Sequence, residues 1–180
     1  AHYQPANAAV ILVGDFKPAA VFPLIQKFYG SIPAQPRPER KLQEEPEQRE
    51  ERQLVLRDEV ASERFALAYH VTSASDDDSY ALDVLANILF EGTSSRAYRR
   101  LVEEKDIAMG VFGYAYTPPY PGLFIVGGTM KGSLPFQQAQ SELNQVIREV
   151  QDGGVTQAEV NVAVKQLTVQ LVDSVRTPYG

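Results

Sequence analysis

The spacing of apolar positions changes along this chain, and each change predicts an element. AAVILV (8–13) is a short unbroken apolar run with the β-branched content of a buried strand. GDF follows, and then an apolar helix ending at Gly30, a stop that Pro33 reinforces. Pro23 requires that helix either to start near Phe22 or to start at Pro18 and kink, because a proline is tolerated only in a first helical turn. QLVLRD (53–58) alternates as a strand, and RFALAYHV (64–71) is apolar and aromatic, again a strand. SASDDDS offers Ser and Asp as N-caps, after which Leu82, Leu85, Ala86 and Leu89 recur on one helical face. GTSS breaks that helix and RAYRRLVEEK starts another. GVFGYAYT (110–117) and GLFIVGGT (122–129) read as strands joined by PPYP, whose prolines are excluded from central pairing. Ala139, Leu143, Val146, Ile147 and Val150 mark an amphipathic helix closed by Gly153-Gly154. Thr156 and Glu159 form a capping-box pattern for a last helix striped by Val160, Val164, Leu167, Leu171 and Val175.

Adjacent strands joined by tight turns favour antiparallel pairing, with helices grouped between strand pairs. The expectation is an α+β two-layer sandwich: a mostly antiparallel sheet with helices packed on one face. Three parts are expected. Residues 1–32 hold a strand and a helix; 33–52 form a linker; 53–180 form a complete α/β unit. The linker, PAQPRPERKLQEEPEQREER, carries four prolines and dense mixed charge, so it has no face to bury.

Composition narrows the functional classes. With 180 residues, 44% of them hydrophobic, the chain can bury a core. A formal net charge of −6 argues against nucleic acid as a partner. Having no cysteine excludes disulfides and thiolate metal sites. No apolar run approaches the ~18 residues of a transmembrane helix. The chain starts at Ala1 rather than Met and stops at TPYG, which predicts a piece of a longer polypeptide.

The residues offer little chemistry. The two histidines, His2 and His70, are far apart, and His70 lies in a strand pattern where a packed or edge histidine is expected rather than a metal ligand. Ser94 and Ser95 occupy a helix break, where hydroxyls cap backbone groups, and no G-x-S-x-G elbow surrounds them. Asp76-Asp77-Asp78 suits a helix N-terminus and lacks the pattern of a calcium loop. Gly110, Gly113, Gly127 and Gly128 lie in strands, where they mark bends or close backbone approach. No catalytic, cofactor-binding or metal-binding residue is therefore assigned.

Two motifs carry a resemblance. Pro5, Asn7-Ala8, Val10 to Phe16 and Lys27 to Pro33 are similar to the passage that closes the zinc-bearing domain of M16 metallopeptidases, the pitrilysin, insulinase and mitochondrial processing peptidase family. Gly92, Ser94, Ser95, Arg96, Tyr98, Arg99, Leu101 and Val102 resemble the hallmark of that family's next domain. The resemblance covers nearly the whole chain. It implies two similar α/β domains per subunit, with residues 1–32 completing the sheet of the preceding one. It also implies an inverted H-x-x-E-H zinc motif in that earlier domain, which is not in this chain, so zinc is expected in the parent or a partner subunit.

In some members an Arg and a Tyr of the later domain help hold substrate. Those positions fall here on Val102 and Met109, so both polar groups are missing; Tyr98, Tyr114 and Tyr116 do not replace them by alignment. The resemblance thus implies a non-catalytic domain, itself inactive, of a zinc-metalloendopeptidase-like parent. Its expected partners are another M16-type domain or subunit and the parent's peptide substrate, and its expected place is a chamber wall and subunit interface. The alternatives are an inactive scaffold or an interaction domain without proteolytic role, and, more remotely, a hydrolase using Ser95 or His70. Exported bacterial members suggest a periplasmic parent.

Overall fold

The computed structural model describes residues 5–33, 36, 46 and 48–176. The chain divides into two compact units, Ala1–Val55 and Leu56–Gly180. His2, most of the 33–52 linker and the final TPYG lie outside the described residues.

In the first unit a short 3-10 turn, Pro5–Asn7, precedes one helix, α1 (Pro18–Tyr29). Pro18 opens α1, and Pro23 lies inside it, so of the two possible starts the helix takes the earlier. It ends at Gly30, whose N–H donates to the Gln26 carbonyl. The strand expected at AAVILV does not form: residues 8–13 have no ladder, and Ile11 and Val13 are 83% and 94% exposed. A strand exists only where a neighbour accepts its backbone hydrogen bonds, and no strand is present among the described residues of this unit. The strand expected at QLVLRD (53–58) is absent too: these residues pair with none of the described strands, and Leu54 and Leu56 stay exposed.

Among its described residues the second unit holds three strands, β1 (Arg64–Val71), β2 (Ala108–Tyr116) and β3 (Gly122–Met130). Their order is β1-β3-β2, antiparallel throughout. Between β1 and β2 come α2 (Asp78–Phe90) and α3 (Arg96–Tyr98), which continues into a π-helical stretch, Arg99–Glu104. After β3 come α4 (Phe136–Gly153) and α5 (Gln157–Ser174). The architecture is α+β, as the periodicity predicts.

Alternation along the strands separates two faces. Phe65, Phe124, Val126 and Met130 point towards the helices and meet Leu89, Phe90, Leu101, Ala139, Leu143 and Val146 in one buried core. Those side chains carry the α2 and α4 periodicities read from the sequence. Burial at about 25 cal/mol per Å² makes this cluster the main stabilising contribution of the unit. Gly113 lets β2 approach α2: a Cβ there would collide with the Phe90 ring. The α5 stripe is the exception. Ala163 is its buried contact, Val160 and Leu167 are half-buried, and Val164, Leu171 and Val175 stay exposed. Here α5 packs mainly on α2 rather than on the sheet, so only a narrow line of it is covered.

Candidate functional site

The α2–α3 connection is built from the residues that the sequence places at a helix break. Gly92 has φ 73°, a left-handed conformation that favours glycine, and it turns the chain after Phe90. The Ser95 hydroxyl donates to the Gly92 carbonyl at 2.8 Å, and Ser95 is buried. It therefore closes a turn, and its hydroxyl is committed to that carbonyl. Ser94 is exposed in the same turn.

Arg96 fixes this turn to the far end of the unit. Its Nε donates to Glu159 Oε1 at 2.7 Å, and its Nη2 donates to Glu159 Oε2 at 2.9 Å and to the Gly154 carbonyl at 3.2 Å. Glu159 is the N3 residue of the α5 capping box: its Oε2 accepts from the Thr156 N–H at 2.8 Å, and its own N–H donates to Thr156 Oγ1 at 3.2 Å. The Arg96 guanidinium, with Thr156, holds the Glu159 carboxyl down to about 2, and Glu159 in turn raises Arg96. Arg100 makes a second link, to Glu149 at 2.8 Å and Glu142 at 3.4 Å on α4.

Beside this turn lies an open groove of about 500 Å³ lined by Phe90, Glu91, Tyr98, Val111, Phe112 and Tyr114, among others. It runs along β2, an edge of the sheet. The groove has aromatic walls, one carboxylate and no histidine among its lining residues. It can bind apolar groups and has no nucleophile–base pair.

The other sequence candidates fall elsewhere. His70 is exposed on β1, opposite Leu123. Asp76 Oδ1 accepts from the Asp78 N–H at 3.0 Å in the turn before α2, while Asp77, the N-cap residue, makes no side-chain cap hydrogen bond; the Asp78 bond, with the Thr72 side chain, lowers the Asp76 pKa. Gly127 and Gly128 lie where rings approach backbone: Phe112 covers the first and Phe65 the second. Val102 is half-buried against the core, and Met109 is exposed at the bulge that interrupts β2 between Ala108 and Gly110. Among the described residues no three His, Cys, Asp or Glu side chains are grouped to hold a metal ion. The donor set here does not fit zinc, which takes His and carboxylate ligands when thiolates are absent.

Two features escape a sequence reading. Arg96 reads as a motif residue without a stated role, because its partner lies 63 residues away. The aromatic row Phe112, Tyr114, Tyr116 was legible as every second residue of GVFGYAYT, but alternation alone does not say which face the helices cover.

Comparison with known proteins bears on this geometry. The profile of the family described as peptidase M16 inactive domain matches residues 1–167. The zinc protease PqqE of Helicobacter pylori is 34% identical over 168 residues, 89% of this chain and 37% of that protein. The crystal structure of a protease from Helicobacter pylori superposes with a TM-score of 0.67 at 25% identity, over 92% of this chain and 41% of that one. A peptidase M16 inactive domain from Pseudomonas fluorescens gives a TM-score of 0.68 at 18% identity, over 92% of this chain and 40% of that one, and so supports the fold. The chain thus spans about two fifths of the length of these relatives.

Proposed function

This chain belongs to the M16 peptidase family, as its inactive domain, and from that premise we propose that it forms one wall of the peptide chamber of a zinc peptidase and part of the interface with its partner domain. The observation that carries the proposal is the division of labour within residues 92–109. Gly92, Ser95 and Arg96 are engaged in holding the fold, while Val102 and Met109 are apolar where substrate-holding groups stand in related domains. Neither side chain can donate a hydrogen bond to a peptide carbonyl. Zinc and the hydrolytic water then belong to another domain of the parent, and this one supplies surface. In the same reading residues 1–32 complete the sheet of the preceding domain, 33–52 link, and 53–180 form the inactive unit.

The test is metal analysis and a peptidase assay, alone and with a partner. The chain alone is expected to bind no stoichiometric zinc and to cleave no peptide. Added to an M16-type domain bearing H-x-x-E-H, it is expected to raise that domain's turnover of a quenched fluorescent peptide. Zinc with turnover in the isolated chain would overturn the reading, and so would a partner whose turnover ignores the added chain.

A further inference from the structure

One end of the sheet is β2. It pairs with β3 along one side, and among the described residues no strand pairs with its other side. In an extended strand the N–H and C=O groups of successive residues point to opposite sides. The Gly110 and Tyr116 carbonyls point at β3: a Cβ on Gly128 would meet the first and one on Gly122 the second. The register runs unbroken from Gly110 to Tyr116. Gly110, Phe112, Tyr114 and Tyr116 therefore carry the ladder, and Val111, Gly113 and Ala115 turn their N–H and C=O groups outward. None of these three makes a further backbone hydrogen bond among the described residues. The outward donors and acceptors stand in a row about 13 Å long. Such a row is a template for another extended backbone.

The surroundings of this edge restrict what can pair with it. The groove of about 500 Å³ lies between β2 and the α2–α3 connection, with Glu91, Gly92, Thr93 and Tyr98 facing the strand residues Val111 to Tyr114. Glu91 is the one charged residue of its lining. It is the exposed C-cap residue of α2, where the helix end adds negative charge, and it forms no ion pair among the described residues. Lys165 shares an adjoining hollow with Glu91 but does not pair with it. Val111 packs towards the core on the helix side of the sheet. A residue laid directly opposite Val111 or Gly113 puts its side chain on that same side, in the groove. A carboxylate, a helix carboxyl end and a phenol ring there suit a cation.

We infer that the outer edge of β2 takes up an extended peptide as a further strand, and that a lysine or arginine of that peptide, opposite Val111 or Gly113, is held beside Glu91. The inference rests on the chamber-wall reading for its ligand class and adds where the peptide lies and which side chain is selected. Charge favours this occupant over a second copy. The chain carries six net negative charges, and β2 itself, AMGVFGYAY, has no cation to offer Glu91. The apolar run at 8–13 has none either.

The experiment is amide hydrogen exchange followed by NMR on the isotopically labelled 180-residue chain, free and with a capped nonapeptide. The peptide alternates threonine and valine, with lysine in place of the central threonine. In the free chain the Val111, Gly113 and Ala115 amides are expected to exchange fast and those of Phe112 and Tyr114 slowly. Peptide at about ten times its Kd is expected to slow the first three about tenfold. Glu91→Gln is expected to weaken the lysine peptide about threefold to fivefold, as for an exposed ion pair, and to leave its glutamine analogue unchanged. Ala115→Pro removes one outward N–H where an edge strand tolerates proline, and is expected to weaken both peptides about tenfold. Two peptides N-methylated at alternate residues, odd in one and even in the other, keep the test decisive should that variant fail to fold: one is expected to lose binding and the other to keep it. Equal binding of those two, or three edge amides that ignore the peptide, would overturn the inference. So would slow exchange of the three amides in the free chain, because a second copy or another part of the chain would then hold the edge. Equal binding of peptides with lysine and with glutamate at the centre would overturn the selectivity. If the chain raises a partner's turnover while the edge amides ignore the peptide, the chamber reading stands and this edge fails. If the amides respond and turnover is unmoved, the reverse holds.

Discussion

Arg96 and Glu159, 63 residues apart, form a two-toothed ion pair in which the guanidinium closes the capping box of α5. The arrangement joins three local problems. The α2–α3 turn needs an anchor, the Gly154 carbonyl at the end of α4 needs a donor, and the Glu159 carboxylate needs a counter-charge. One planar side chain with fixed donors meets all three, which a lysine cannot do.

Arg96→Ala is expected to cost about 1–2 kcal/mol, the scale of charge-assisted hydrogen bonds with part of their value lost to solvent. For a domain of this size that lowers the melting temperature by about 3–8 °C. Arg96→Lys is expected to restore less than half of it. Thermal melts followed by circular dichroism check both, and a wild-type melt for Arg96→Ala would mean the pair is ornamental.

Acid provides an independent reading of the same pair. Glu159 sits at about 2 in the folded chain against an ordinary 4.5. The unfolded state therefore binds more protons between those values, and this contribution is fully present above pH 4.5 and lost as pH falls towards 2. Glu159→Gln is expected to lower stability at pH 7 and to flatten the dependence of stability on pH between about 4.5 and 2. Denaturant titrations at several pH values measure the slope; parallel slopes in the two proteins would remove Glu159 from the account.

Gly113 and Phe90 test the packing of α2 on β2. Gly113→Ala places a methyl group against the Phe90 ring and is expected to cost about 1–3 kcal/mol through overpacking. Phe90→Ala alone is expected to cost about 3–5 kcal/mol. Because loss of the Phe90 ring makes room for the new methyl group, which in turn fills part of the space the ring leaves, the double variant should be less destabilised than the sum of the two. Additive losses in a double-mutant cycle would show that the two do not meet.

The apolar run at 8–13 bears on handling of the chain. Val10, Ile11, Leu12 and Val13 are all at least half exposed, and such a segment invites pairing with another copy. A chain starting at Arg52 is expected to scatter less light than the full chain at equal concentration. Unchanged scattering would move the source of any self-association elsewhere, Leu54 and Leu56 included.

The local code of this protein is strong where an element can be specified by its own residues. Leu82, Ala86 and Leu89 announce α2 by spacing, Thr156 and Glu159 announce the start of α5, and RFALAYHV and GLFIVGGT announce β1 and β3. The family motif around Ser95 and Arg96 is legible in the same way, and so is the lack of polar groups at Val102 and Met109. Strand formation at 8–13 and 53–58 was not decided by sequence, because alternation and β-branching supply a face and not a hydrogen-bonding neighbour. The α5 stripe failed for a related reason: apolar spacing marks a side that can be buried, and packing on α2 alone covers only Ala163 and its flanks.

Tertiary structure alone decided what the polar and aromatic residues do. Arg96 acquires its carboxylate only when the α2–α3 turn and the start of α5 meet. Phe112, Tyr114 and Tyr116 become an exposed ridge only because the helices settle on the opposite face of the sheet. Sequence set the elements and the family, since both rest on short-range spacing. Partners across 63 residues, and the choice of which sheet face meets solvent, depend on how those elements pack.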